Sequence, residues 1–256
     1  MFIDSHCHID FPELAEQEAL LLENMREAKV SHALCVSVNL QDWPRVQALA
    51  VRHDNLFASV GVHPDHESSA LAVTEADLLS RAEQPRVVAI GETGLDYFRL
   101  TGDLTWQRER FRTHIRAAKT CNKPLIIHTR AAAADTIAIM TEENAGVAGG
   151  VMHCFTESWA VAKAALDQGF YISFSGIITF KNAADLREVV RQVPLEKLLI
   201  ETDSPYLAPV PHRGKMNQPA FVKHVAECVS SIKNVSLETI AETTSNNFFT
   251  LFQDAR

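Results

Sequence analysis

Short apolar runs rich in β-branched residues recur along the chain at Met1–Ser5, Ala33–Val38, Phe57–Val60, Val87–Ile90, Pro124–Ile127, Gly150–Met152, Phe170–Phe174 and Leu198–Ile200. Each run has the length of a strand rather than of a helix. Between them the apolar positions fall at helical spacing, as in Leu14, Leu21, Met25 and Ala28, or Trp106, Phe111, Ile115 and Ala118, with polar faces between. Strand and helix alternate throughout, and eight units over 256 residues give 32 apiece, enough for a βα crossover unit. Continuously apolar strands separated by amphipathic helices predict a parallel sheet covered by helices. The pattern therefore predicts an α/β fold, a (β/α)₈ barrel first and a doubly wound open sheet second. No internal repeat, low-complexity tract or Gly/Ser-rich linker divides the chain, so residues 1–256 are read as one domain.

One segment breaks the pattern. Ser204–Pro219 holds four of the ten prolines and is too long for an ordinary connection, a length at which loops are usually functional or disordered. From Ser204 to Ala226 there is no Asp or Glu, while Arg213, Lys215 and Lys223 are present. In a chain of net charge −8 that is a local basic patch. The overall acidity excludes a histone-like binder of duplex nucleic acid, though not a small phosphate site. With 46% hydrophobic and 22% charged residues the disordered and fibrous classes are excluded too. The N-terminus lacks the basic and apolar regions of a secretory signal, and nothing approaches the length of a membrane span. The five cysteines are scattered without a Cys-x-x-Cys pair, which suits small core residues in a reducing compartment. The expectation is a soluble cytoplasmic protein with no membrane partner. The sequence leaves the oligomeric state open, a monomer being compatible with it.

The candidate chemistry lies at the C-terminal ends of the proposed strands. His6 and His8 end the first, His63 follows the third, Glu92 ends the fourth, His128 the fifth, His153 the sixth and Asp203 the eighth. A barrel gathers those ends on one face, where the active sites of such enzymes sit. Residues two apart in a strand point the same way, so His6 and His8 can reach one ion while Cys7 points away. Imidazole with carboxylate suits zinc, manganese or iron, and carboxylates admit magnesium. A lone His-x-His has many chance occurrences, and a lone Glu92 or Asp203 could be a cap or an ion-pair partner. Several buried ionisable groups at the ends of apolar strands are costly unless paired or metal-bound, and that conjunction favours a metal site. Trp106-Gln107-Arg108-Glu109-Arg110 reads as an ordinary outer helix with Trp106 and Phe111 on its apolar side. Gly91-x-x-Gly94 lacks the remaining features of a phosphate loop or dinucleotide fold.

Asp4-Ser5-His6-Cys7-His8, Gly61-Val62-His63-Pro64, Gly91-Glu92-Thr93-Gly94-Leu95-Asp96-Tyr97, His128-Thr129-Arg130, His153-Cys154-Phe155-Thr156 and Glu201-Thr202-Asp203-Ser204-Pro205-Tyr206-Leu207 resemble the successive signature blocks of the TatD family of metal-dependent hydrolases and deoxyribonucleases. Through Ala208–Lys215 the resemblance is especially close to its YcfH branch. It covers essentially the whole chain, and six blocks in order are far more specific than any one. The resemblance implies a TIM-type barrel of the amidohydrolase superfamily, a centre of two divalent metal ions (Zn, Mg or Mn), and nuclease activity of the 3′-to-5′ exonuclease type on DNA. By position it implies that His6, His8 and Asp203 bind one metal, that His128 and His153 bind the other, and that Glu92 bridges both. Ala131, Ala132 and Ala133 depart from relatives that carry an acidic residue after the Arg, which bears on the partner of Arg130.

A bound divalent cation lowers the pKa of its water to around 7, and two ions roughly 3.5–4 Å apart stabilise both the attacking and the leaving oxygen of a phosphoryl displacement. The catalytic expectation is Asp203 orienting the attacking water and taking its proton, with Glu201 on the same strand face orienting a ligand or water. His63, Arg130, Arg213 and Lys215 are the candidate phosphate contacts, and DNA ends or single-stranded DNA the candidate substrate. Plainer readings stand beside these: His63 bonding backbone in a turn, Arg130 pairing with Glu92 or Asp203, and Arg213 and Lys215 merely solvated. Tyr97 and Tyr206 could stack on bases or sit as rim aromatics. The same centre could instead hydrolyse amide, ester or small phosphoester bonds, since fold and metals do not determine the substrate.

Overall fold

The computed structural model describes residues 1–66 and 73–256. Its strands are β1 (Phe2–Cys7), β2 (Val30–Cys35), β3 (Leu56–Val60), β4 (Val87–Asp96), β5 (Leu125–Arg130), β6 (Gly150–Met152), β7 (Tyr171–Phe174) and β8 (Leu198–Ile200). All neighbours pair in parallel and in chain order, with no reversal of the kind that defines a doubly wound sheet. Just beyond β8 the edges meet: Asp203 donates its N–H to the His6 carbonyl at 2.9 Å and His8 donates to the Ser204 carbonyl at 2.9 Å. The fold is a TIM-type (β/α)₈ barrel.

Around it lie α1 (Pro12–Ala15), α2 (Glu18–Glu27), α3 (Trp43–Arg52), α4 (Glu75–Ala82), α5 (Thr105–Cys121), α6 (Ala133–Glu142), α7 (Trp159–Asp167), α8 (Ala184–Gln192), α9 (Val222–Lys233) and α10 (Leu237–Leu251). Local chemistry sets several ends. Thr74 and Asp77 form a reciprocal capping box on α4, the Ser236 side chain caps α10, and α5 stops where Asn122 turns left-handed at φ 54°. None of these helices is long and apolar enough to cross a membrane.

Alternation along the strands sorts the core into two parts. Ala33, Leu56, Ala58, Ile90, Leu125, Ile127, Met152, Ile172 and Ile200 join the helices' apolar faces in an outer cluster. Ile3, Leu34, Phe57, Val88, Ile126, Val151, Tyr171 and Leu199, one from each strand, form an inner cluster closed below by Phe248 and Phe252 near the end of α10. Burying one such aliphatic side chain is worth about 1.5–3 kcal/mol, so both clusters are large stabilising terms. Two residues further along the strands, on the inner side, stand Ser5, Ser59, His128, His153, Ser173 and Glu201. Ser5 bonds Ser173 across the barrel at 3.2 Å. Apolar filling thus gives way to a polar layer.

The boundaries differ from the sequence pattern in instructive ways. β4 does not end at Ile90 but continues through Glu92 to Asp96. Its two glycines look like breakers, yet they let β4 run close against β5: a Cβ on Gly94 (φ 133°) would lie 2.0 Å from the His128 carbonyl oxygen. The run from Leu14 to Ala28 is two helices rather than one, because Gln17 leaves the helical region at φ −112°, ψ 18°. On α5, Trp106 is 36% exposed while Gln107 is fully buried, so the helix presents a different face from the one its apolar residues suggest.

Candidate metal centre

The strand ends and the turns after them bring His6, His8, His63, Glu92, His128, His153 and Asp203 together. His6 Nε2 and His8 Nε2 are 3.3 Å apart, with Asp203 Oδ1 3.6 Å from the first and 3.4 Å from the second. Cys7 between them packs outward, its thiol donating to the Leu34 carbonyl. Asp203 adopts a left-handed backbone at φ 57°, which Asp tolerates better than most residues. Glu92 stands in the middle. Its Oε2 is 3.4 Å from His6 Nε2, while its Oε1 is 2.7 Å from His153 Nε2, 3.1 Å from His128 Nδ1 and 3.4 Å from His63 Nε2. One carboxylate therefore presents one oxygen to each imidazole set.

Around this cluster a further ring of polar groups fixes ring orientation and tautomer. His8 Nδ1 donates to the Val36 carbonyl at 2.9 Å, which leaves Nε2 a lone pair toward Asp203. His128 Nε2 meets Asp96 Oδ2 at 3.1 Å, leaving Nδ1 to face Glu92. His153 Nδ1 meets Glu201 Oε1 at 3.3 Å, and the same oxygen accepts the Cys154 N–H at 2.6 Å. His63 Nδ1 bonds Asp65, which also pairs with Arg99. Asp4 accepts the Thr202 N–H at 2.8 Å and the Thr202 hydroxyl, tying β1 to the segment that carries Asp203.

The electrostatics follow from burial and neighbours. Burial alone would raise the Glu92 pKa, yet His153, His63 and His128 hold it well below the usual carboxylate range. Burial would likewise raise Asp203, and the His8 bond with the His6 and His153 charges lowers it instead. His153 is the converse: burial pushes its pKa down, but Glu92 and Glu201 carry it well above that of a free imidazole. His8, beside Asp203, and His128, beside Asp96 and Glu92, are raised against the same burial penalty. His6 is lowered, by burial and by His153. Asp4, wholly desolvated, is pushed up to about 8. The carboxylates here demand positive charge, and divalent cations would supply it in place of imidazole protons.

The donor set fits such ions. Ligand atoms of His6, His8 and Asp203 lie within 4.8 Å of one another, as do those of His63, Glu92 and His128, and those of His6, His153 and Glu201. His6 Nδ1 and Glu201 Oε2 are buried without a hydrogen-bond partner among the described residues, so protein groups alone do not satisfy this interior. Imidazole and carboxylate without thiolate suits catalytic rather than structural metal.

The candidate substrate residues are arranged differently. His63 stands within the imidazole set around Glu92 Oε1, its ring 4.5 Å from that of His128. Arg130 pairs with neither Glu92 nor Asp203; its guanidinium lies 3.9 Å over the ring of the exposed Phe98. Arg213 stacks on Phe180 at 3.5 Å, and Arg213 and Lys215 are both exposed, with no hydrogen bond or ion pair to the cluster among the described residues. The Tyr97 hydroxyl donates to Asp135 at 2.7 Å, whereas Tyr206 is exposed and meets Phe11 edge-on. Sequence reasoning missed Asp4, Asp65 and Asp96. Asp4 and Asp96 lie two and four residues from His6 and Glu92 on their strands, an offset that the period of an extended strand makes readable, whereas Asp65 lies in the turn after His63, where no such period applies.

A closed barrel whose mouth gathers imidazoles around a shared, doubly facing carboxylate has the build of a metal-dependent hydrolase. The chain belongs to the family of TatD-related DNases, whose profile matches residues 3–253. It is 47% identical over 253 residues, 98% of this chain and 95% of the other, to the uncharacterized metal-dependent hydrolase YcfH of Escherichia coli K12. It is 34% identical over 230 residues, 88% of each chain, to the 3′-5′ ssDNA/RNA exonuclease TatD of Escherichia fergusonii. Among solved structures it superposes on the TatD homologue YjjV of Escherichia coli K12 with a TM-score of 0.91 at 30% identity, covering 98% of both chains.

Proposed function

We propose that this metal-dependent hydrolase cleaves phosphodiester bonds at DNA ends, as an exonuclease of 3′-to-5′ type. The observation that carries the reading is Glu92, with one oxygen toward His6 and the other toward His128 and His153. His6, His8 and Asp203 would hold one divalent ion, His128 and His153 a second, and Glu92 both. Bound there, such ions make hydroxide available near neutral pH and draw charge from phosphoryl oxygens.

The chain's own residues take the remaining roles. Asp203 keeps 17% side-chain exposure against 3% for Glu92 and is held ionised, so it can orient an incoming water and accept its proton. Glu201 is fully buried beneath His153 and acts by orienting that ring rather than by touching substrate. His63, held by Asp65, Arg130 at the rim and the exposed Arg213 and Lys215 are the residues we assign to phosphate oxygens. Family membership and the exonuclease named among the relatives support DNA as the substrate.

The test is chelator-stripped protein reloaded with Mg²⁺, Mn²⁺ or Zn²⁺ and offered a 3′-end-labelled oligonucleotide beside a panel of amides, carboxylic esters and small phosphoesters. Shortening of the oligonucleotide from its 3′ end is the expected result. Turnover of panel compounds with DNA intact under every metal would replace the nuclease reading by a small-molecule hydrolase using the same centre.

A further inference from the structure

The loop after β8 and helix α9 carry two histidines unused by the barrel centre. His212 Nε2 and His224 Nε2 lie 3.1 Å apart. His224 comes from the first turn of α9, and its Nδ1 donates to Glu227 Oε2 at 2.9 Å. The His212 ring stacks on Phe221, with centroids 3.9 Å apart and planes 4° apart. Both imidazoles are partly open to solvent, and the other charges nearby are Lys215 beside His212 and Lys223, 3.9 Å from Glu227.

We propose that His212 and His224 form a second, peripheral metal site that takes a transition-metal dication such as Zn²⁺, Ni²⁺ or Cu²⁺. At zinc–imidazole distances of about 2.0–2.1 Å, two nitrogens on one ion lie about 3–3.4 Å apart, a range that includes the observed spacing. With its Nδ1–H given to Glu227, His224 presents a lone pair at Nε2, the carboxylate–histidine arrangement that supports metal-ligating imidazoles. Without metal, His212 donates its Nε2–H to that lone pair. On binding, that proton moves to His212 Nδ1, which has no hydrogen-bond partner among the described residues, so both Nε2 lone pairs face the ion and no net proton is released. Water fills the other positions. Mg²⁺ and Ca²⁺, which prefer oxygen, are not taken. The ion would fasten the loop bearing Arg213 and Lys215 to α9. The site is independent of the substrate assigned to the barrel.

Zn²⁺ titration of chelator-stripped full-length protein, followed by calorimetry, tests this directly. Wild type should bind one equivalent more than His212→Gln or His224→Gln, while Glu92→Ala should keep that weaker equivalent. Equal stoichiometry in wild type and both histidine variants overturns the site. A second measurement needs no variant: long-range ¹H–¹⁵N spectra of wild type should show the His212 and His224 Nε2 resonances shifting together with Zn²⁺ and standing still with Mg²⁺. Resonances that stand still with both ions, or move only at millimolar Zn²⁺, overturn it equally.

Discussion

Asp96 and Glu201 are fully buried, yet they decide how His128 and His153 present their nitrogens to Glu92. Replacing such a partner typically costs 10–100-fold in metal affinity or activity. Asp96→Asn should therefore lose about one to two orders of magnitude in affinity for the ion at His128, read by competition with a chromogenic chelator; unchanged affinity would reduce Asp96 to a packing role. Glu92→Ala removes the carboxylate both sets share and should abolish turnover of whichever substrate the wild type accepts. Persistent turnover would sink the shared-ligand assignment. A third residue acts through pH. His114 is fully buried and its pKa falls from 6.5 to about 4, chiefly through desolvation, so it folds as a neutral ring. Between those values the unfolded chain binds the extra proton, so this contribution is present above pH 6.5 and is lost as pH falls toward 4. It amounts to about 3 kcal/mol. Urea midpoints should drop less steeply over that window in His114→Phe than in wild type, and parallel profiles would refute the assignment. Of these residues Glu92 and Glu201 announce themselves in the sequence, each through its block of neighbours, whereas the role of Asp96 does not. His114 is an isolated histidine on a helix, where exposure is the default expectation.

Helix α5 is the element that the sequence conceals best. Gln107 accepts the Asp96 N–H at 2.9 Å and donates to the Pro64 carbonyl at 3.0 Å. Arg110 donates to the His66 carbonyl at 2.9 Å, and His114 accepts the Val62 N–H at 3.1 Å. Residues 107, 110 and 114 share one helical face, so a single rod holds both the turn bearing His63 and the strand end bearing Asp96. Gln107→Leu would leave the buried Asp96 N–H without its partner, a loss of about 1–3 kcal/mol. Denaturant unfolding should show that loss together with weaker metal binding at His128; a lower midpoint with metal affinity intact would make the helix a scaffold only. Apolar periodicity finds α5, but it cannot separate a buried amide from a solvated one, and so it turns Trp106 inward and Gln107 outward. β4 is hidden for a related reason. Glycine marks a break in most strands, and only the close approach of β5 shows why Gly91 and Gly94 continue this one.

For the whole molecule, eight repeating units were legible because parallel strands buried on both faces read as uninterrupted apolar runs. Closure into a barrel was the first of two readings, ahead of an open sheet, and what decides between them is backbone bonds such as Asp203 to His6 that no side-chain pattern records. Divalent ions held at the mouth would tie β1, β4, β5 and β6 to the segment after β8, a site that the unfolded chain does not assemble. Free metal at 100 times its Kd should stabilise the protein by about 2.7 kcal/mol, so chelation should lower Tm and re-addition restore it. A Tm indifferent to chelator would show that the cluster holds no ion under those conditions. Charge acts at this scale as well. Replacing Arg213 and Lys215 together should flatten the salt dependence of DNA binding if they neutralise phosphates, and an unchanged slope would return them to solvent.

The inner cluster has a consequence for traffic. Eight apolar side chains, one per strand, with Phe248 and Phe252 beneath, make the barrel a blind well with a single opening. A polymer cannot thread through it. Whatever enters must back out past the same rim, and on the proposed exonuclease reading the shortened strand and the released nucleotide would compete for one exit after each cut. On that reading digestion of a long strand should be distributive, leaving a ladder of intermediate lengths when substrate is in excess, rather than fully degraded chains beside untouched ones.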